Sequence, residues 1–245
     1  CGYGKLITVN DSGGEPVLYL ISQEGEFLDT IRIPNATNRD WEDLAINEQG
    51  DLFIGDIGNN LNQRKDLIIY KVPDFCQKGV RVVQRITFHY EDQQAFPPDP
   101  SNQYFDAEGL IATNDSLFIF TKNRTQPFDG ELRYYSLANK TGDHTAKLRG
   151  KIRLKGGMKK NWITAADISN DGKTILLLSM GKITQLNEFS GTDFLEGTLT
   201  ELSLPGFSQK EALWIGKGGN LFVTDEQTLL LGRKLYHFQL EKADE

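Results

Sequence analysis

Three glutamates, Glu42, Glu108 and Glu211, recur in one setting, each followed by a small or acidic residue and then leucine: Glu42-Asp43-Leu44, Glu108-Gly109-Leu110 and Glu211-Ala212-Leu213. Asp167 stands nearby in a fourth copy, Thr164-Ala165-Ala166-Asp167-Ile168. Carboxylates gathered into one pore repel each other unless protons or a cation neutralise them, and oxygen-rich clusters suit hard metals. The expected chemistry is therefore a metal site built from Glu42, Glu108, Asp167 and Glu211, with Ca2+ as its cofactor. The same acids have an equal structural use, capping strand ends by accepting backbone amides of the next repeat.

A second set of oxygen-bearing residues ends the strands that follow: Asp11, Asp56, Thr121, Ser179 and Asp225. The densest stretch is Gly55-Asp56-Ile57-Gly58-Asn59-Asn60 followed by Arg64. Glycine and asparagine tolerate positive φ, and adjacent carboxamides can hold a metal or a polar ligand. Read structurally, the stretch is an Asn/Gly turn pinned by Arg64. Asp11, Asp56, Asn59, Asn60, Arg64, Lys122 and Asp225 are the expected ligand-binding residues. If the chain is an enzyme, Glu42 or Glu108 is the candidate base, acting on a lactone, ester or phosphoester beside a metal.

Other chemistry is thinly represented. His89, His144 and His237 are scattered without ligand spacing, and no nucleophile elbow, phosphate loop or dinucleotide fingerprint occurs. Trp41, Trp162 and Trp214 lie beside the acidic strands, where aromatic rings pack between repeats or stack on sugars.

The elements that position these residues repeat with an imperfect period of roughly 45 to 65 residues, a signature of a β-propeller. Each repeat couples an acidic strand, a Gly/Asn/Asp turn and a second apolar strand: Leu52-Phe53-Ile54-Gly55-Asp56, Leu117-Phe118-Ile119-Phe120-Thr121, Ile175-Leu176-Leu177-Leu178-Ser179 and Leu221-Phe222-Val223-Thr224-Asp225. The expectation is an all-β, five-bladed propeller in one domain over 1–245, with blades near 5–34, 40–90, 105–154, 163–204 and 211–240. Lys5–Asp11 reads as a second strand, so the first blade lacks its innermost one and the fifth shows only three. The proline-rich segment 93–104 cannot pair as a central strand and is an interblade loop expected to overhang one face.

A formal net charge of −7 without a basic run opposes nucleic acids and anionic membranes as partners. No apolar stretch reaches the length of a membrane helix. The two cysteines, Cys1 and Cys76, are too few for a disulfide framework and lack zinc-ligand spacing. Cys1 reads either as the lipidated cysteine of a bacterial lipoprotein or as a point within a truncated blade. Both readings place the protein outside the cytoplasm, in the periplasm or at the outer-membrane surface, with the membrane reached only through a lipid anchor.

The string Asn10-Asp11-Ser12-Gly13, Asp40-Trp41-Glu42-Asp43-Leu44-Ala45, Gly55-Asp56-Ile57-Gly58-Asn59-Asn60 and Ile69-Tyr70-Lys71-Val72-Pro73 resembles a family of exported propeller proteins common in Bacteroidetes. Glu108-Gly109-Leu110, Thr121-Lys122 and Thr164–Lys173 extend the resemblance over nearly the whole chain. The chain is more distantly similar to SdiA-regulated and phytase-like propellers, whose Glu-Gly-Leu strand and channel-mouth calcium would fall on Glu108-Gly109-Leu110. The resemblance implies fold and export and supplies no substrate. Gluconolactonase-type propellers place one Glu, two Asn and one Asp on a catalytic metal, roles for which Glu42 or Glu108, Asn59, Asn60 and Asp225 are the available residues. The favoured reading is a monomeric binding module for a protein or glycan partner at the channel mouth. Its alternative is a calcium-dependent hydrolase.

Overall fold

The computed structural model describes residues 4–206, 208–227 and 232–240. Among them run eighteen strands and two single-turn helices, grouped into five antiparallel meanders. Blade 1 holds β1 (Lys5–Thr8), β2 (Val17–Ser22) and β3 (Phe27–Arg32). Blade 2 holds β4 (Trp41–Ile46), β5 (Leu52–Asp56), β6 (Leu67–Val72) and β7 (Gln84–Tyr90). Blade 3 holds β8 (Asp106–Ala112), β9 (Ser116–Lys122), β10 (Glu131–Ala138) and β11 (Gly142–Arg153). Blade 4 holds β12 (Ile163–Ile168), β13 (Ile175–Ser179), β14 (Lys182–Asn187) and β15 (Thr198–Ser203). Blade 5 holds β16 (Lys210–Ile215), β17 (Asn220–Asp225) and β18 (Leu235–Gln239). The chain is a five-bladed β-propeller, as the repeats predict.

Burial explains why each blade runs from the axis outward. The second strands β5 and β13 are buried at every residue, because both of their faces meet a neighbouring blade. The outermost strands β11 and β15 alternate or stay exposed. The hydrophobic cores accordingly lie between blades. Phe53, Ile69, Ile86, Tyr90, Phe105 and Ile119 join blades 2 and 3, and Phe120, Tyr134, Ile163 and Leu177 join blades 3 and 4. Leu176, Leu178, Leu213 and Val223 join blades 4 and 5.

Blades 2 and 3 are further tied at their rims, where β11 pairs in parallel with β7 from Gly142↔Ile86 to Ala146↔Tyr90, making one eight-stranded sheet. The proline-rich 93–104 segment folds down onto the 59–66 loop rather than overhanging a face. Gln93 Nε2 donates to Asn62 O at 2.9 Å, and the Lys65 ammonium lies 4.7 Å over the Phe96 ring.

All four described innermost strands carry a β-bulge at one level. The residue left over between paired positions is Glu42 in β4, Glu108 in β8, Thr164 in β12 and Glu211 in β16. A bulge re-aims the extra side chain away from the ladder. This convergence was expected of the three glutamates but not of Thr164: Asp167 lies three residues beyond the bulge and belongs to a different level of the axis.

Two acids beyond the bulges, one residue past the bulge in β4 and three past it in β12, tie the ring together. Asp43 is buried, and its Oδ2 accepts amides from two other blades, Leu110 N at 2.9 Å and Ala166 N at 3.1 Å. Asp167 Oδ2 accepts Ile215 N at 2.7 Å. The capping use of acids is thus carried by Asp43 and Asp167, and the span of Asp43 from blade 2 to blade 4 shows how narrow the axis is. Gly109 fits the same constriction, since a Cβ there would lie 2.8 Å from Ala166 Cβ.

Candidate binding site at the acidic end of the axis

The bulged Glu42 lies within reach of the charges of Glu108, Asp106, the first residue of β8, and Asp40, which immediately precedes β4. Gly58 packs against this group so closely that a Cβ would collide with both the Glu42 and the Asp40 carboxyl. Serine at position 12 donates to Asp40 Oδ1, tying blade 1 to the cluster.

Two cations enter from the end of β9. Lys122 Nζ lies 2.9 Å from Glu108 Oε1, and Arg124 reaches Asp106 Oδ2 at 2.6 Å and Glu108 Oε1 at 3.4 Å. Both lie over the Trp162 ring, at 5.5 Å and 4.8 Å from its centroid, while Trp162 Nε1 donates to Asn123 O. Arg124 also donates to Asn60 Oδ1. A charged pair removed from water needs partners, and although burial still pushes the Glu108 pKa well up, its Oε1 has them.

Glu42 does not. Its carboxyl lies beside that of Asp40 against Gly58, and among the described residues it takes part in no hydrogen bond or ion pair. Burial, followed by the neighbouring charges of Glu108, Asp106 and Asp40, pushes its pKa well up, with Lys122 pulling the other way. Burial likewise raises Glu211 to about 7, opposed by Lys122 and Gln209 and assisted by Glu226 and Asp11. Asp40 is raised by burial in spite of its hydrogen bond from Ser12. Glu42, Glu211 and Asp40 are thus shifted toward holding their protons, against the pull of Lys122 and Arg64.

The remaining predicted residues serve the scaffold. Asp56 pairs with the buried Arg64 at 2.9 Å, and Arg64 also donates to Gly58 O at 2.7 Å. Asn59 donates its amide to Asp106 Oδ1 at 2.7 Å and its Nδ2 to Phe105 O at 3.0 Å, and it accepts Arg64 N at 2.9 Å. The Gly55–Asn60 stretch is therefore the turn pinned by Arg64, stapling blade 2 to blade 3. Asp225 accepts Lys234 N at 2.7 Å and Tyr236 Oη at 2.8 Å inside blade 5. Asp11 faces the acidic end, where it raises Asp40, Glu211 and Glu226.

Of the acids proposed as calcium ligands, Asp167 stands apart from the level shared by Glu42, Glu108 and Glu211. Glu108 is engaged by Lys122 and Arg124, Asp167 by backbone amides, and among the described residues no three His, Cys, Asp or Glu side chains converge as ligands. Asn59 and Asp225, the residues available for gluconolactonase-type roles, are engaged by backbone and tyrosine contacts. Trp41 is buried against Tyr70 with its Nε1 on Thr37 O at 2.9 Å, which is the packing use. The reading of Cys1 lies outside the described residues. Cys76 is disulfide-bonded.

Sequence reasoning passed over Asp40, Asp106 and Asp43. The first two were legible as acids two residues before a recurring glutamate, Asp40-Trp41-Glu42 and Asp106-Ala107-Glu108. Asp43 was masked by its neighbour, since only the bulge distinguishes the residue that faces the mouth from the one that staples blades.

Fold and site together define a β-propeller with a charged, partly uncompensated axial end. Solved structures similar to it include two from Bacteroides species. One is a protein of Bacteroides fragilis provisionally assigned as a 6-phosphogluconolactonase, with 14% identity and a TM-score of 0.49 over 99% of this chain and 68% of that one. The other, of Bacteroides uniformis and assigned in the same way, shows 12% identity and a TM-score of 0.48 over 99% and 69%. No protein-family model and no curated protein matches the chain.

Proposed function

We propose that this protein is an exported binding module that takes a cationic group, an ammonium or guanidinium carried by a protein partner, at the acidic end of its axis. The observation that carries the reading is Glu42, a half-buried carboxyl packed against Gly58, without a hydrogen-bond donor among the described residues and under the neighbouring charges of Glu108, Asp106 and Asp40. An incoming cation favours the ionised form of such groups, so binding displaces their protons.

The test is calorimetric titration of Nα-acetyl-lysine N-methylamide into the wild type and the Glu42→Gln/Glu211→Gln variant. Saturable binding that weakens about tenfold in the variant, about 1.4 kcal/mol, is expected. Absence of saturable binding, or equal binding to both proteins, refutes the reading.

A further inference from the structure

One residue past the strand-end positions Asp56, Thr121, Ser179 and Asp225 stand Ile57, Lys122, Met180 and Glu226, so at this position of the repeat blade 3 alone among blades 2 to 5 carries a cation. The backbone sets its place. Lys122 closes β9 opposite Asp106, the first residue of β8, and two positions along β8 stands the bulged Glu108. Lys122 Nζ reaches Glu108 Oε1 at 2.9 Å, with 9% of the lysine side chain and 3% of the glutamate side chain exposed. The same oxygen lies 3.4 Å from Arg124, which is itself held by Asp106 Oδ2 at 2.6 Å.

The charge of this ammonium extends beyond its bonded partner. It acts on Glu42 of blade 2 and on Glu211 and Glu226 of blade 5, so one lysine serves carboxyls from three blades. Compensating carboxylates drawn from separate elements is the work a divalent ion does elsewhere: Ca2+ gathers about six to eight oxygens around itself. Here the chain supplies the cation on its own side chain, lying 5.5 Å from the Trp162 ring centroid and bonded to an oxygen that a metal would need. Like charges brought together away from water repel strongly, so a doubly charged ion pays heavily beside a resident ammonium. Glu42, which Lys122 influences without bonding, is left for a ligand of single charge.

We propose that Lys122 is the specificity-determining residue of the acidic end: its ammonium holds the place of a divalent cation among the glutamates and so reserves the end for a singly charged organic cation. The exclusion of the metal stands on the Lys122–Glu108 pair, while the admission of the organic cation rests on the cation-binding reading above. Lys122→Met removes the ammonium and keeps the length of the stem. It leaves Glu108 with Arg124 alone and makes the cluster more negative by one charge, which turns the preference toward a divalent ion.

The test is calorimetric titration of calcium chloride into the wild type, Lys122→Met, Lys122→Gln and the charge-keeping Lys122→Arg, each checked for folding by its thermal melt. Expected is saturable calcium binding by the Met and Gln variants with Kd of about 1 mM or tighter, and binding at least about tenfold weaker by the wild type and Lys122→Arg. Adding Glu108→Gln to Lys122→Met should weaken calcium about tenfold again. Calcium binding by the wild type or Lys122→Arg as tight as that of Lys122→Met overturns the proposal, as does the absence of saturable binding by a folded Met or Gln variant. Gained binding that Glu108→Gln leaves untouched overturns the placement of the lysine in the position of a metal. Nα-acetyl-lysine N-methylamide is titrated alongside: its failure to bind the wild type refutes the cation-binding reading and leaves the calcium comparison to decide the role of Lys122.

Discussion

Removing the Asp43 side chain should loosen three blades at once. In Asp43→Ala the amides of Leu110 and Ala166 lose their acceptor in a part of the core where Ala166 is 1% and Leu110 1% exposed. A buried backbone donor left unsatisfied costs about 1 to 3 kcal/mol, so the pair together costs on the order of 4 kcal/mol. For a protein of this size each kcal/mol lowers Tm by about 2 to 4 °C, giving a fall on the order of 10 °C. Asp167→Ala, which frees one interblade amide, that of Ile215, should fall by about half as much. Differential scanning calorimetry of both variants measures this. A fall under about 2 °C for Asp43→Ala would refute the claim that one carboxylate staples blades 2, 3 and 4.

Three further outcomes follow from the same geometry. Gly58→Ala places a methyl group against the flexible ends of Glu42 and Asp40, so Tm should move little while binding of Nα-acetyl-lysine N-methylamide weakens severalfold, as calorimetry would show. Gly109→Ala instead meets Ala166 Cβ at 2.8 Å and its backbone nitrogen at 3.2 Å, which a packed axis cannot yield, and should cost about 1 to 3 kcal/mol in urea unfolding. Stability should decline as pH rises: Glu211 and Asp167, both raised to about 7, bind protons more tightly folded than unfolded, so their contribution is complete below the ordinary carboxylate range and is lost as pH climbs through about 7. Asp167→Asn should flatten that decline in Tm measured from pH 5 to pH 8; an unchanged slope contradicts the assignment.

How much of this could be read beforehand depended on what repeats encode. The second strands of blades 2 to 5, such as Leu52–Asp56 and Ile175–Ser179, announce themselves as continuous apolar runs because they are covered on both faces. The convergence of Glu42, Glu108 and Glu211 follows from their identical place in the repeat. Asp167 misled because it resembles Asp43 in sequence while the hairpin and bulge of blade 4 set Thr164 at the level of the glutamates. No pattern of residue types distinguishes a bulged position from its neighbour. The partners of Glu108 were equally hidden: Lys122 and Arg124 reach the axis only because β9 ends there, with Asn123 turned to Asp129 at 2.7 Å. The parallel seam between β7 and β11 joins polar outer strands 55 or so residues apart, and their alternation is that of any exposed edge.

The central claim is that Glu42 and Glu211 hold protons which a cationic group displaces. The direct measurement is the side-chain carboxyl carbon-13 shift of these two residues at pH 6.5, with and without saturating Nα-acetyl-lysine N-methylamide. Protonated shifts in the free protein that move to the carboxylate position on binding are predicted. Carboxylate shifts from the outset, or binding that leaves both signals unmoved, would contradict it.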